Sequence, residues 1–243
     1  MRTTAREAGT ENFPRHAARR SLLISVMLET DFVPAHQRNS RWLMVALHGL
    51  GDSIEGYRWL PQMLRFPWLN FLLVNAPEPY YGGFSWYDFA NDPGPGVRRS
   101  YGLLCSLFDR QREAGFPTEQ TFVFGFSQGC LLTVELAVRY PHRFAGLIGI
   151  SGYVYQPEQL LQERSPVASE QRFLLTHGTR DPLIPLNPVR LQIELLKSAG
   201  LNIEWHEFEK EHSIAGEEEL RVVREFVKKA FEPRSAVIQE KQT

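Results

Sequence analysis

Residues 121–130, TFVFGFSQGC, constrain the chain more than any other stretch. Four β-prone residues, Thr121 to Phe124, run directly into Gly125-Phe126-Ser127-Gln128-Gly129, the pattern G-x-S-x-G. A strand that turns this abruptly into a helix lifts one serine hydroxyl above the sheet edge. The turn is so tight that side chains two residues either side of the serine would collide, so both positions want glycine. Residues 131–140 after the motif are helix-prone, and Pro141 lies just past their end. Ser127 is thereby the candidate nucleophile; the competing reading is an ordinary Gly/Ser turn in a βα unit.

The remaining elements alternate. Strands are predicted over residues 21–32, 42–47, 69–74, 121–124, 144–150, 172–176 and 203–208. Helices are predicted over 57–65, 97–114, 131–140, 188–199 and 217–231, and 79–96 reads as a long loop. This order predicts an α/β fold, a mostly parallel central sheet with helices on both faces. A single domain is expected over 21–232, between a flexible basic extension at 1–20 and a tail at 233–243. Residues 19–28 faintly resemble a secretion signal but lack a small-residue cleavage site, and a first strand is the expected reading. The chain has no run of about 18 apolar residues, so no stable membrane insertion is expected.

In such a sheet the reactive groups sit at the carboxyl ends of strands. Unusual residues fall there repeatedly: His48 to Asp52, Ser127, His177 to Pro182, and Glu209 to Ser213. An acid and a histidine follow the serine in chain order, as in a Ser…Asp…His triad. A serine alcohol needs a base. His16 and His36 precede the core, and His142 falls on the far side of the sheet. His48 shapes a glycine turn, His177 comes before the acid, and His206 lies inside a strand. His212, in the loop after the last strand, is the expected base, against the alternative of a solvent-facing histidine in a Glu-rich turn. Asp181 is the expected orienting acid, against an Asp-Pro turn; Asp52 is a rival on the wrong loop. Two backbone N–H groups for a developing oxyanion are expected from Gln128 and Leu50, with Gly49 and Gly51 allowing close approach. Residues 80–89 carry six aromatics, among them Tyr81, Phe84 and Trp86. They either pin a loop to the core or wall an apolar acyl pocket.

Charge and cysteine content set limits. With 27 basic and 28 acidic residues the net charge is −1, which gives no reason to expect nucleic acid or an anionic membrane as partner. Cys105 and Cys130 both fall on predicted helices and are expected as free, buried thiols, consistent with a cytoplasmic location. Neither spacing nor composition supplies a metal site, and triad chemistry requires no cofactor.

The residues together resemble the acyl-protein thioesterase, lysophospholipase and carboxylesterase branch of the α/β hydrolases. Leu47-His48-Gly49-Leu50-Gly51-Asp52-Ser53 is similar to that branch's L-H-G-L-G-D-[ST], and Ala76-Pro77 to its H-A-P turn. Ser85-Trp86-Tyr87-Asp88 resembles its S-W-[FY]-D, followed by Gly115-Phe116-Pro117 and Gly-Phe-Ser-Gln-Gly in order. His177-Gly178-x-x-Asp181-Pro182-Leu183-Ile184-Pro185 is close to its H-G-x-x-D-P-[LV]-[VI]-P. The similarity runs from about Trp42 to the last helix. It implies an α/β-hydrolase fold, Ser127 as nucleophile, Asp181 and His212 as its partners, the Leu50 and Gln128 N–H groups as oxyanion hole, and Trp86 near the substrate. It implies cleavage of a small-molecule or lipid-like acyl ester or thioester, or of an acylated protein, through an acyl-enzyme. An esterase for small soluble esters and a non-catalytic binding protein on the same fold are the rivals. A dienelactone hydrolase would carry Cys at the nucleophile. Three positions depart from the pattern: Asn75 stands where the branch has His, and Cys130 and Glu211 where it has Gly. Residues 153–169 match nothing in it.

Overall fold

The computed structural model describes residues 27–240. In chain order the elements are β1 (Thr30–Val33), β2 (Trp42–Leu47), α1 (Leu60–Leu64), β3 (Leu69–Val74), β4 (Glu78–Tyr80), β5 (Gly83–Ser85) and α2 (Gly94–Glu113). Then come β6 (Thr121–Phe126), α3 (Gln128–Arg139), β7 (Gly146–Ile150), α4 (Pro157–Gln162), β8 (Arg172–Gly178), α5 (Leu186–Ser198), β9 (Asn202–Phe208) and α6 (Gly216–Glu240). Among the described residues, seven strands form one sheet in the order β1-β3-β2-β6-β7-β8-β9, parallel except for β1, which pairs antiparallel with β3.

The apolar runs explain why the inner strands are inside. Every residue of β2, β3 and β7 is buried, as strands covered on both faces require. Side chains alternate between faces with a period of two. Leu43, Val45 and Leu47 of β2 pack with Val97, Leu104, Leu131 and Val189 of α2, α3 and α5. Trp42, Met44 and Ala46 pack on the opposite face with Leu60 and Leu64 of α1 and Leu220, Val223 and Phe226 of α6. The strand order runs outward from β2 in one direction and from β6 in the other. The crevice between these two strand ends is where a sheet of this kind takes a ligand.

Several elements differ from the sequence expectation. Of the strand expected at 21–32, residues 21–26 lie outside the described residues, and pairing begins only at Thr30. The helix expected at 57–65 is a 3₁₀ turn, Ile54–Tyr57, followed by the five-residue α1, whose second position is Pro61. The expected loop at 79–96 holds the hairpin β4–β5. Its turn residues Tyr81 and Gly82 have φ of 43° and 90°, the left-handed pair of a two-residue hairpin loop. Tyrosine is an uncommon residue for that conformation, which hides the turn from a reading by turn chemistry. Gly94 and Pro95 open α2 three residues early, proline being acceptable in a first turn. α6 continues to Glu240, past Pro233, where a tail was expected. Cys130 is buried, Cys105 is only half-buried, and both are free.

Candidate active site

Ser127 sits between β6 and α3 with φ 54° and ψ −114°, a conformation L-residues rarely adopt. The flanking glycines permit it. A Cβ on Gly125 would stand 2.2 Å from the Gly129 carbonyl oxygen, and one on Gly129 would stand 2.2 Å from that of Leu47. Both obstacles are backbone and cannot give way. The Ser127 N–H donates to the Ile150 carbonyl (2.9 Å) and its own carbonyl accepts from Leu131 N–H (3.2 Å), so the elbow is tied to both β7 and α3.

The histidine and the acid arrive from two other strand ends. His212 Nε2 lies 2.9 Å from Ser127 Oγ, and its Nδ1 lies 2.8 Å from Asp181 Oδ2. A carboxylate can only accept, so Nδ1 carries the imidazole proton and Nε2 is free to accept the serine's. Asp181 Oδ1 accepts from the Leu183 and Ile184 N–H groups, each at 2.9 Å. Burial alone would raise this carboxyl. The hydrogen bonds from Ile184 N–H, His212 and Leu183 N–H outweigh it and hold the group below its ordinary value, ionised at neutral pH. The Phe126 ring covers His212, centroid to centroid 5.1 Å.

The other histidines have different employment. His177 is buried and its Nε2 donates to the Ile184 carbonyl (2.8 Å). Its distance to Asp181 is 3.7 Å, and burial lowers its pKa, so it remains a neutral support for the Asp181 turn. His48 Nε2 accepts from Ala76 N–H (3.0 Å), which leaves Nδ1–H to donate to the Gly49 carbonyl (2.6 Å). It is part of the Leu50 loop's frame.

Leu50 and Gln128 flank the serine. Gln128 is the first residue of α3, so its N–H has no intrahelical acceptor. Beside Leu50, Gly51 N–H donates to Phe84 O (2.9 Å) and Asp52 N–H to Gly49 O (3.3 Å). The Leu50 N–H meets no acceptor among the described residues. Two open donors therefore border the nucleophile, the arrangement that can stabilise an oxyanion. Gly49 lets the two loops meet: a Cβ there would stand 3.0 Å from the Phe126 ring and 3.3 Å from Ser127 Cβ.

The aromatic loop divides. Trp86 does not line the cavity over Ser127. It is buried, with its indole N–H donating to the His48 carbonyl (2.9 Å) and its backbone N–H to Gln128 Oε1 (2.9 Å). Tyr81 is 95% exposed at the hairpin tip, and Phe84 pairs with the backbone of residues 51 and 52. Neither reaches the cavity. The Gln128 side chain, whose Nε2 donates to Tyr87 O (2.9 Å), clips residues 85–87 to the helix that carries the serine. Hydrogen bonding of a buried indole thus places Trp86 behind the loop that carries Leu50.

The cavity itself has a volume of about 260 Å³ and is bordered by Leu50, Tyr87, Phe89, Phe126, Tyr153 and Leu183, with Ser127 and His212 at its floor. Tyr153, Leu183 and Phe89 were not expected there. Tyr153 and Leu183 follow the ends of β7 and the Asp181 turn, so the rule of strand carboxyl ends could have found both. Cys130, where the family pattern has glycine, packs its sulfur against Gly149 and Gly152, and burial pushes its thiol up to about 12. Asn75 accepts from Ile54 N–H (2.8 Å) and donates to Glu29 (2.8 Å), taking up a structural role. Glu211 is exposed and lies outside the left-handed region, so its backbone has no need of glycine.

The sheet order, the strained serine and the hydrogen-bonded acid and imidazole define an α/β hydrolase. The chain belongs to the phospholipase/carboxylesterase family, which residues 28–231 match, and it is an ester hydrolase. It is 32% identical to acyl-protein thioesterase 1 of Schizosaccharomyces pombe over 155 residues, covering 58% of this chain and 69% of that one. To acyl-protein thioesterase 1 of Yarrowia lipolytica it is 29% identical over 196 residues, 73% and 86% of the two chains. The crystal structure of esterase PE8 superposes with a TM-score of 0.76 at 27% identity, covering 84% of this chain and all of that one. Among the described residues, no helix is long and apolar enough to cross a membrane.

Proposed function

We propose that Ser127, His212 and Asp181 are a catalytic triad that cleaves acyl esters and thioesters through an acyl-enzyme. The observation that carries this is the continuous hydrogen-bonded chain, 2.9 Å then 2.8 Å, opening onto an apolar cavity. His212 takes the Ser127 proton as Oγ attacks the acyl carbonyl and returns it to the leaving alcohol or thiol. Asp181 holds the imidazole in the reactive tautomer and stabilises its charged form. The Leu50 and Gln128 N–H groups receive the negative charge on the carbonyl oxygen. Water, activated by the same imidazole, then frees the acid. No step needs a metal or cofactor. Acyl thioesters, acylated proteins included, enter as candidate substrates through the names of the relatives. A cytoplasmic site of action fits the two unpaired cysteines.

The size of the cavity favours a short acyl group, and so an esterase for small soluble esters. About 260 Å³ is at the lower edge of ligand pockets, and only about 10 Å³ opens behind Tyr153 and Cys130. Rates on paired oxoesters and thioesters of increasing acyl length test this. Each buried methylene contributes ~0.8 kcal/mol, roughly fourfold in kcat/KM, until the cavity is full. A rise over the first few carbons followed by a fall is expected. A rise that persists to long fatty acyl chains would rule out the small-ester reading, and no turnover of any ester would favour a binding protein.

A further inference from the structure

The loop that carries His212, residues 209–215, has little backbone bonding of its own. Within it Ser213 N–H donates to Glu211 O (2.9 Å), and Lys210 N–H reaches back to Phe208 O (2.8 Å). Its two ends instead converge on one carboxylate. Glu219, fully buried in the first turn of α6, accepts from Lys210 Nζ at 2.7 and 2.8 Å and from Ala215 N–H at 2.7 Å. It also accepts from the Thr176 hydroxyl of β8. Lys210 precedes His212 by two residues and Ala215 follows it by three. Thr176 lies on the strand that leads into Asp181. Arg180 N–H donates to the Lys210 carbonyl (3.1 Å), so the acid's turn and the histidine's loop are joined at the same place.

Stability does not account for such a pair. Lys210 is 5% exposed and Glu219 is wholly enclosed. Removing two such ions from water costs several kcal/mol each, and an apolar pair of similar volume is commonly as stable or more so. Position accounts for it better. A triad must hold its geometry to about 0.5 Å, and a displacement of about 1 Å can cost a hundredfold in rate. We propose that Lys210 and Glu219 form a positioning strut that holds His212 in register between Ser127 and Asp181. Neither residue borders the cavity, and neither touches the reacting atoms. The strut sits where the chain departs from the family's glycine at Glu211, and it fixes by side chains a loop that the backbone alone leaves loose. The inference rests on the triad reading above.

The test begins with fluorophosphonate labelling of the wild type, then compares Lys210→Met/Glu219→Leu and Lys210→Met/Glu219→Gln. Melting temperature, kcat and KM on a short acyl nitrophenyl ester, and the labelling rate are measured for each. The Leu variant is expected to stay folded, since the desolvation of the ion pair is relieved while the Thr176 hydroxyl and Ala215 N–H lose their acceptor, and kcat should fall about 10- to 100-fold. KM should stay within about twofold, and labelling should slow by the same factor as kcat. The Gln variant, which keeps an acceptor for Ala215 N–H and Thr176, should recover part of the loss. A folded Leu variant with kcat within about twofold of wild type would overturn the strut. If the Leu variant does not fold, the Gln variant decides alone: a loss of about fivefold or more supports the strut, and wild-type turnover overturns it. A wild type that is not labelled at Ser127 would instead remove the triad, and the strut with it.

Discussion

The serine and the histidine of the site are held by opposite means. Ser127 stands on a turn set by backbone: two glycines whose missing side chains would strike carbonyl oxygens at 2.2 Å, and a helix that begins at the next residue. His212 stands on an irregular loop set by its own Lys210, by side chains from two elements, Thr176 of β8 and Glu219 of α6, and by its own bond to Asp181. The first arrangement tolerates almost no substitution but is written locally. The second depends on residues far apart in the chain, and its parts can be exchanged if the geometry survives.

The comparison can be broken most sharply at the imidazoles. His212→Ala should lower kcat/KM on the order of 10⁴-fold or more, about as much as loss of Ser127, because triad members act as a unit. His177→Ala, which leaves Asp181 with its bonds from Leu183 and Ile184, should cost far less. Equal losses would mean that the neutral histidine at 3.7 Å shares the role.

Next in size is the contrast between glycines. Gly129→Ala should destabilise the fold by about 3 kcal/mol or more, read by chemical denaturation, since the new methyl meets backbone that cannot yield. Glu211→Gly, at an exposed position with ordinary backbone, should stay within about 1 kcal/mol. A large loss at Glu211 would show that its side chain steadies the His212 loop as well.

Trp86→Phe sharpens the comparison on the side of the Leu50 loop. It removes the indole donor to the buried His48 carbonyl, a loss of about 1–2 kcal/mol, and part of the volume of a fully buried ring. We expect kcat to fall about 5- to 30-fold with KM and the acyl-length profile unchanged. A changed profile would restore Trp86 to the substrate wall.

The smallest effect concerns the buried charge on the elbow helix. Burial pushes the Glu135 carboxyl up to about 7 from 4.5, against the pull of Arg139; Glu163 adds to the rise and Arg98 opposes it. The folded protein thus binds this proton more tightly than the unfolded chain, so stability is lost as pH rises through that interval. Glu135→Gln should flatten this slope in melting temperature and leave kcat alone.

What could be read from sequence follows the same division. The elbow, the inner strands β2 and β3 and the positions of Asp181 and His212 rest on local patterns: glycine spacing, unbroken apolar runs and strand ends. For Trp86 the residues leave both readings open, because a loop tryptophan looks the same whether its indole faces a cavity or a buried carbonyl. The Lys210–Glu219 pair was invisible, because nothing in a lysine before a histidine announces a carboxylate nine residues on. The β4–β5 turn was hidden by Tyr81 in a conformation that usually calls for Asn or Gly.

The central claim is that an acyl group passes through Ser127. Rapid mixing with a short acyl ester, acid quench and peptide mass analysis tests it directly. The account predicts an adduct of one acyl mass, localised by fragmentation to Ser127 and absent from Ser127→Ala, whose turnover is lost. An adduct on Cys130, three residues along the same peptide, or undiminished turnover by Ser127→Ala, would contradict it.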